Sequence, residues 1–349
     1  MRTRRTRIGA VVLALVVGVA VVIAGMAASG GAAPAWADDD PVLVRVTGAD
    51  GVTAATFTMS EIQALPVYEG YSGMINSAGT VTPPKPVRGV RLTDVLDAVG
   101  GVTTADAVDV KGSDGYGMTF TYGEVVNGTF QMFNETTKEK EPRKADSALL
   151  LIYEYDGAPL PPDEGPLRSA VAQETNVHQL AEAHCFVKQV ASITVRGKVT
   201  NWTVKMLGLK RKNGKRPRFT LDRKSYDSCS TPGCHGSAWT DPSTRVNWTG
   251  VPLFLCIGYV DGGRTHGYGA YNERLAWKGY RIRIVSRSGK KVVIDSRTIM
   301  NRERIILANR RQGSELTAAQ APLRLVGPRI GSRRFIKQIK SITLLPKRK

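Results

Sequence analysis

From residue 42 onward the chain is dominated by short runs that alternate apolar with polar residues or stay apolar throughout: 42–46, 107–110, 118–122, 148–153 and 190–195, then 281–285, 291–295, 304–308 and 339–344. Their length and their richness in Val, Ile, Thr and Tyr predict strands, because β-branched and aromatic side chains suit a pleated, half-buried surface. Two stretches carry a helical period instead. Residues 59–65 offer Ser60 as an N-cap, and residues 92–99 run into the helix-stopping pair Gly100-Gly101. Strands outnumber helices and do not alternate regularly with them, so the pattern predicts an α+β fold, strand-rich with short helices.

The pattern occurs twice. Val87-Arg88-Gly89-Val90-Arg91-Leu92 returns as Trp248-Thr249-Gly250-Val251-Pro252-Leu253, and Gly165-Pro166-Leu167-Arg168 as Ala321-Pro322-Leu323-Arg324. The segment 186–195 returns as 335–344, and the three offsets are 161, 156 and 149 residues in the same order. A period this long excludes short solenoid repeats and predicts two tandem domains, 38–198 and 199–349, each large enough for its own core. The turns repeat too. Ser113-Asp114-Gly115-Tyr116 matches Arg287-Ser288-Gly289-Lys290, and Tyr155-Asp156-Gly157 matches Arg311-Gln312-Gly313, each of the latter glycines standing nine residues before Pro166 or Pro322. The basic run 210–216 reads as an exposed loop inside the second copy.

Residues 1–37 belong to neither copy. Arg2, Arg4, Arg5 and Arg7 precede an apolar run over 8–28, and Ala35-Trp36-Ala37 supplies a small-residue cleavage site. This is the layout of an export signal; the run is also long enough to span a bilayer as an uncleaved anchor. Both readings put the folded part outside the cytoplasm, where the cysteines Cys185, Cys229, Cys234 and Cys256 meet an oxidising environment and Cys229 and Cys234 are the nearest pair in sequence. The Arg4-Arg5 pair points to the twin-arginine route, although Arg7 follows where an apolar residue is usual.

The net charge of +19 divides unequally. Residues 38–198 hold 13 Lys and Arg against 22 Asp and Glu, whereas 199–349 hold 32 against 8. In an exported chain a basic domain points to an anionic surface or an acidic partner rather than to nucleic acid; mutual attraction between the copies and a well-solvated surface account for the same charges.

The repeated elements resemble the molybdopterin-binding domain of the sulfite oxidase family. The likeness rests on G-V-x-L at Gly89 to Leu92, D-G-Y at Asp114 to Tyr116, D-G-x-P-L at Asp156 to Leu160, P-L-R at Pro166 to Arg168, and the closing strand Val187 to Val195. It spans most of 42–198 and, in weaker form, 200–346. The resemblance implies an oxidoreductase with a molybdopterin cofactor, transferring oxygen atoms at molybdenum held by a cysteine thiolate a dozen or more residues before G-V-x-L. In the first copy that stretch has Ser77 twelve residues before Gly89, and no cysteine. In the second, Cys234 lies 16 residues before Gly250 and is the candidate metal ligand, with a disulfide to Cys229 as the alternative. The resemblance also makes Arg168, Lys188, Arg324 and Lys337 candidate cofactor contacts, since a pterin phosphate is an anion that arginine suits; the other reading of these side chains is structural.

Two further signals are weaker. Cys229 to His235 has the residue order of a haem attachment site but four residues between the cysteines, where two are usual, so haem is not expected. His178, His184 and Cys185 lack regular zinc spacing and read as a solvated loop. Two functions therefore stand: a molybdopterin-dependent oxidoreductase, or a binding module that keeps the scaffold without redox activity and uses its basic second domain to hold an anionic surface or partner.

Overall fold

In the strand Val44–Thr47 the two valines are buried while Arg45 faces outward, and in Arg281–Ser286 Ile282 and Ile284 are buried between half-exposed arginines. This period of two lays one apolar face on a core. The computed structural model describes residues 40–211, 213–262 and 271–347, so the leader falls outside the described residues. Within them the protein is α+β, with several sheets and only short helices. Among the described residues no helix is long and apolar enough to cross a membrane.

Two five-stranded sheets have the same order and the same pairing sense. In the first, Ala54–Phe57, Val44–Thr47, Val190–Gly197, Asp106–Gly112 and Gly117–Thr121 lie side by side, with Val44–Thr47 parallel to Val190–Gly197 and every other pair antiparallel. In the second, Arg218–Asp222, Thr203–Leu207, Ile339–Leu345, Arg281–Ser286 and Lys291–Asp295 repeat that order, again with one parallel pair, Thr203–Leu207 beside Ile339–Leu345. Both closing strands skip one residue at the matching place, Ala191 and Lys340.

A second sheet in each half is built on a hairpin. Val67–Ile75 pairs with Val81–Arg91, which pairs with Ser147–Tyr155; Ser237–Thr240 pairs with Asn247–Pro252, which pairs with Ile306–Arg311. The register slips between Arg88 and Gly89 and between Thr249 and Gly250. There a Cβ on Gly89 would collide with the Leu151 carbonyl, and one on Gly250 with the Leu307 carbonyl. The glycine of each G-V-x-L element is thus required by backbone packed against backbone. The first half extends this sheet with Gln179–Glu182, Met132–Asn134 and Lys140–Glu141, making eight strands. The described part of the second half has five.

The apolar cores stay within the halves. One joins residues between Val44 and Val195, and another joins residues between Val204 and Leu344, with a smaller cluster around Trp239, Trp248 and Ile306. At the seam, Lys224 Nζ meets Glu124 at 2.5 Å, and Arg196 bridges Asp109 at 3.2 Å and Glu315 at 2.7 Å. Asp40 to Lys349 form one compact unit.

One local expectation is corrected. The first helix, Met59–Ala64, is capped by Thr58, whose side chain accepts from Glu61 N–H while the Glu61 carboxylate accepts from Thr58 N–H. Ser60 lies inside the helix, and its N–H donates to Asp40. The reciprocal capping box satisfies two orphan donors where a serine two residues further on could not.

Candidate functional site

The place most alike in the two halves is the loop before each P-L-R strand. Asp156-Gly157 and Gln312-Gly313 all have positive φ, the two-residue hairpin turn whose twist matches its strands. Each loop then runs to a cis proline, Pro166 or Pro322, and into the strand Arg168–Gln173 or Arg324–Val326. The closing strand pins it from the far side. Gln189 N–H donates to Glu164 O at 2.8 Å and Val190 N–H to Leu167 O at 2.8 Å; Gln338 N–H donates to Gln320 O at 3.0 Å and Ile339 N–H to Leu323 O at 3.2 Å. The shared backbone puts Glu164 and Gln320 in equivalent positions beside Arg168 and Arg324.

In the first half the charges are neutralised. Arg168 is buried, its guanidinium paired with Glu164, with a further N–H on Met74 Sδ at 3.5 Å and its Cζ 5.3 Å from the Phe186 ring centre. Lys188 Nζ reaches the other Glu164 oxygen at 2.8 Å and Asp163 at 3.7 Å. One carboxylate thus holds both of the half's candidate anion-binding cations.

In the second half the carboxylate is gone. Gln320 is neutral, and among the described residues no acidic group lies within ion-pair distance of Arg324 or Lys337. Arg324 instead stacks on Trp248, 4.7 Å from the ring centre, and Arg311 approaches the same ring at 5.8 Å. Burial and the charge of Arg311 hold the Arg324 pKa below its usual value, opposed in part by Asp241. Nε of Arg324 and Oε1 of Gln320 are buried with no hydrogen-bond partner; Nε of Arg168 shares that condition, but its other nitrogens are engaged. A half-buried guanidinium without a counter-ion is costly, and an incoming oxyanion would relieve the cost. Lys337 is exposed.

The hairpin turn where the resemblance would put a metal-ligating cysteine is closed by short polar side chains in both halves. Asn76 Oδ1 accepts from Ala78 N–H at 3.0 Å and Thr80 N–H at 2.9 Å; Asp241 Oδ1 accepts from Ser243 N–H at 2.9 Å. Cys234 lies elsewhere, between the helix Arg223–Cys229 and the strand Ser237–Thr240, with its sulfur hydrogen-bonded to Cys229. Among the described residues no three His, Cys, Asp or Glu side chains are grouped to hold a metal. Neither hairpin turn carries a cysteine, and in the first half the two candidate cations are already paired with Glu164.

Two groups that sequence reasoning treated as loop behave differently. His178 is exposed and bonds Glu135 at 2.8 Å, whereas His184 is half-buried beside Cys185 and 3.2 Å from Glu182. Burial alone would lower the His184 pKa, but the Cys185 sulfur and Glu182 outweigh it and raise the value to about 10. The seam also encloses a cleft of about 520 Å³ lined by Thr119, Thr121, Asn201, Trp202 and Asp222, and a basic cleft of about 230 Å³ nearby. In the latter Arg223 is already paired with Asp227 at 2.9 Å, and Glu315 with Arg196.

No protein-family profile and no curated protein sequence matches the chain. Among solved structures it is similar to the sulfane dehydrogenase SoxCD from Paracoccus pantotrophus, at 11% identity with a TM-score of 0.33. The match covers 72% of this chain and spans 58% of the length of that one, and a likeness at this score does not establish a shared fold.

Proposed function

We propose that the chain is an exported binding protein made of two tandem copies of one scaffold, 38–198 and 199–349, without oxygen-atom transfer at molybdenum. Its second copy holds an oxyanion of a larger anionic surface or partner at Arg324. The observation that carries this reading is the replacement of Glu164 by Gln320, which leaves Arg324 and the neighbouring Arg311 on Trp248 without a carboxylate at ion-pair distance among the described residues. Support also comes from the excess of basic residues over 199–349, which would attract an anionic surface at long range before the local contact forms.

The competing reading is a molybdopterin-dependent oxidoreductase. The set of G-V-x-L, D-G-x-P-L and P-L-R elements favours it; the lack of a cysteine at either hairpin turn weighs against it. Metal analysis of the full chain purified from its own host separates the two. The binding reading predicts no stoichiometric molybdenum, and one molybdenum per chain, lost on Cys234→Ser, would overturn it. Binding itself is read by sedimentation with vesicles of phosphatidylglycerol against phosphatidylcholine: Arg324→Ala should weaken the former about fivefold, the loss of one charge-assisted contact.

A further inference from the structure

The segment Cys229-Ser230-Thr231-Pro232-Gly233-Cys234-His235 folds back on itself at the seam. His235 N–H donates to Cys229 O at 3.0 Å, while Cys234 N–H and Gly236 N–H both donate to Thr231 O, at 3.1 and 2.9 Å. This closure sets the ends of the segment side by side, so that the Cys229 thiol donates to the Cys234 sulfur. Both cysteines are free and partly exposed, whereas Cys185 and Cys256 are free and buried. The tip of the segment rests on the other half of the molecule. Pro232 packs on the turn at Gly115, and a Cβ on Gly233 would come within 2.7 Å of the Tyr116 nitrogen, so a glycine is needed for the approach. Tyr116 in turn donates its hydroxyl to His184 O at 3.2 Å, and the helix ending at Cys229 lies against the strand Gly117–Thr121.

We propose that Cys229 and Cys234 are a redox-active dithiol that exchanges with disulfides of low-molecular-weight thiols, and that closing it to a disulfide clamps the tip 231–233 onto the first half. Roles follow from the hydrogen bonds. Cys234 accepts from the Cys229 thiol, which favours its thiolate, while the same bond, reinforced by burial, keeps the proton on Cys229. Cys234 thiolate attacks a sulfur of the incoming disulfide, forming a mixed disulfide and expelling one thiolate. Cys229 then gives up its proton to that thiolate and attacks the Cys234 sulfur, expelling the second. Two electrons and two protons pass to the oxidant, which leaves as two thiols once the second thiolate takes a proton from solvent in exchange for the one Cys234 lost. This inference stands apart from the anion site, since neither depends on the other.

The test is differential alkylation of the full chain, with and without oxidised glutathione, read by peptide mass spectrometry after denaturation. The expected product has lost two hydrogens in a linked peptide joining Cys229 to Cys234, with Cys185 and Cys256 still alkylated. Cys229→Ser should stop at a glutathione adduct on Cys234. Four alkylated cysteines after oxidant, a link from Cys229 to Cys256, or an adduct on Cys185 instead of Cys234 would overturn the proposal. Wild-type protein alone decides the pairing, so a variant that fails to fold leaves it testable. Amide exchange over Gly117–Thr121 should slow several-fold in the oxidised chain, and unchanged exchange would overturn the clamp.

Discussion

Arg168 and Arg324 begin equivalent strands, follow equivalent cis prolines and sit beside loops pinned by equivalent backbone hydrogen bonds, yet their charges are treated in opposite ways. Glu164 neutralises Arg168 and Lys188 together; Gln320 neutralises nothing. The difference separates scaffold from site. What the fold requires is kept twice: the bulge glycines, the positive-φ turns and the skipped residue in the closing strand. The counter-ion is kept once, and the half that lacks it carries the large excess of basic residues. A cation paired within its own chain is part of the structure, whereas the same cation left open is available to a ligand.

The sharpest way to break the comparison is to erase it from the first half. Glu164→Gln leaves Arg168 and Lys188 without their carboxylate, and because Arg168 is buried the cost should be about 3 kcal/mol in urea unfolding. A loss near zero would mean that Glu164 is incidental, and the contrast with Gln320 would lose its meaning. Next come the shared glycines. Gly89→Ala and Gly250→Ala each force a methyl into a neighbouring strand's carbonyl and should each cost about 2 kcal/mol. Unequal costs would show that the two bulges are not equivalent.

A smaller effect concerns the seam. The folded pKa of His184 is raised above that of the free imidazole, so its stabilising contribution is complete below about 6.5 and fades as pH rises towards about 10. The melting temperature of wild type should therefore fall across that interval more steeply than that of His184→Gln. Parallel profiles would contradict the charged state of this histidine. Smallest of all, Gln320→Glu should stabilise the second half by about 1 kcal/mol by supplying the missing partner.

Much of this frame was legible in the sequence. The turn glycines Gly115 and Gly289 stand in tight turns with positive φ, as do Gly157 and Gly313 of the second shared turn, and the strands near 107–110, 148–153, 281–285 and 339–344 lie within a few residues of their expected bounds. The long hairpin Val67–Ile75 with Val81–Arg91 was not anticipated, because Gly70, Gly73 and the prolines Pro83, Pro84 and Pro86 interrupt the β pattern that marks a strand. The site was less legible. Glu164 and Gln320 stand two residues before the repeated P-L-R element, in plain view, but a counter-ion is recognised only when the loop brings it onto the arginine. The pairing of His184 with Glu182 is likewise visible only once the strand and the short helix that carry them are folded.

The central claim is that the second half binds an anion because Gln320 leaves Arg324 unpaired, and a charge-matched comparison tests it. Gln320→Glu and Lys210→Ala each change the net charge by the same amount, one beside Arg324 and one in the exposed basic loop. Their affinities for phosphatidylglycerol vesicles, measured by sedimentation at one ionic strength, should differ: the account predicts a loss of about fivefold or more for Gln320→Glu and little change for Lys210→Ala. Equal losses in the two variants would mean that overall charge alone drives association, and the Arg324 site would be refuted.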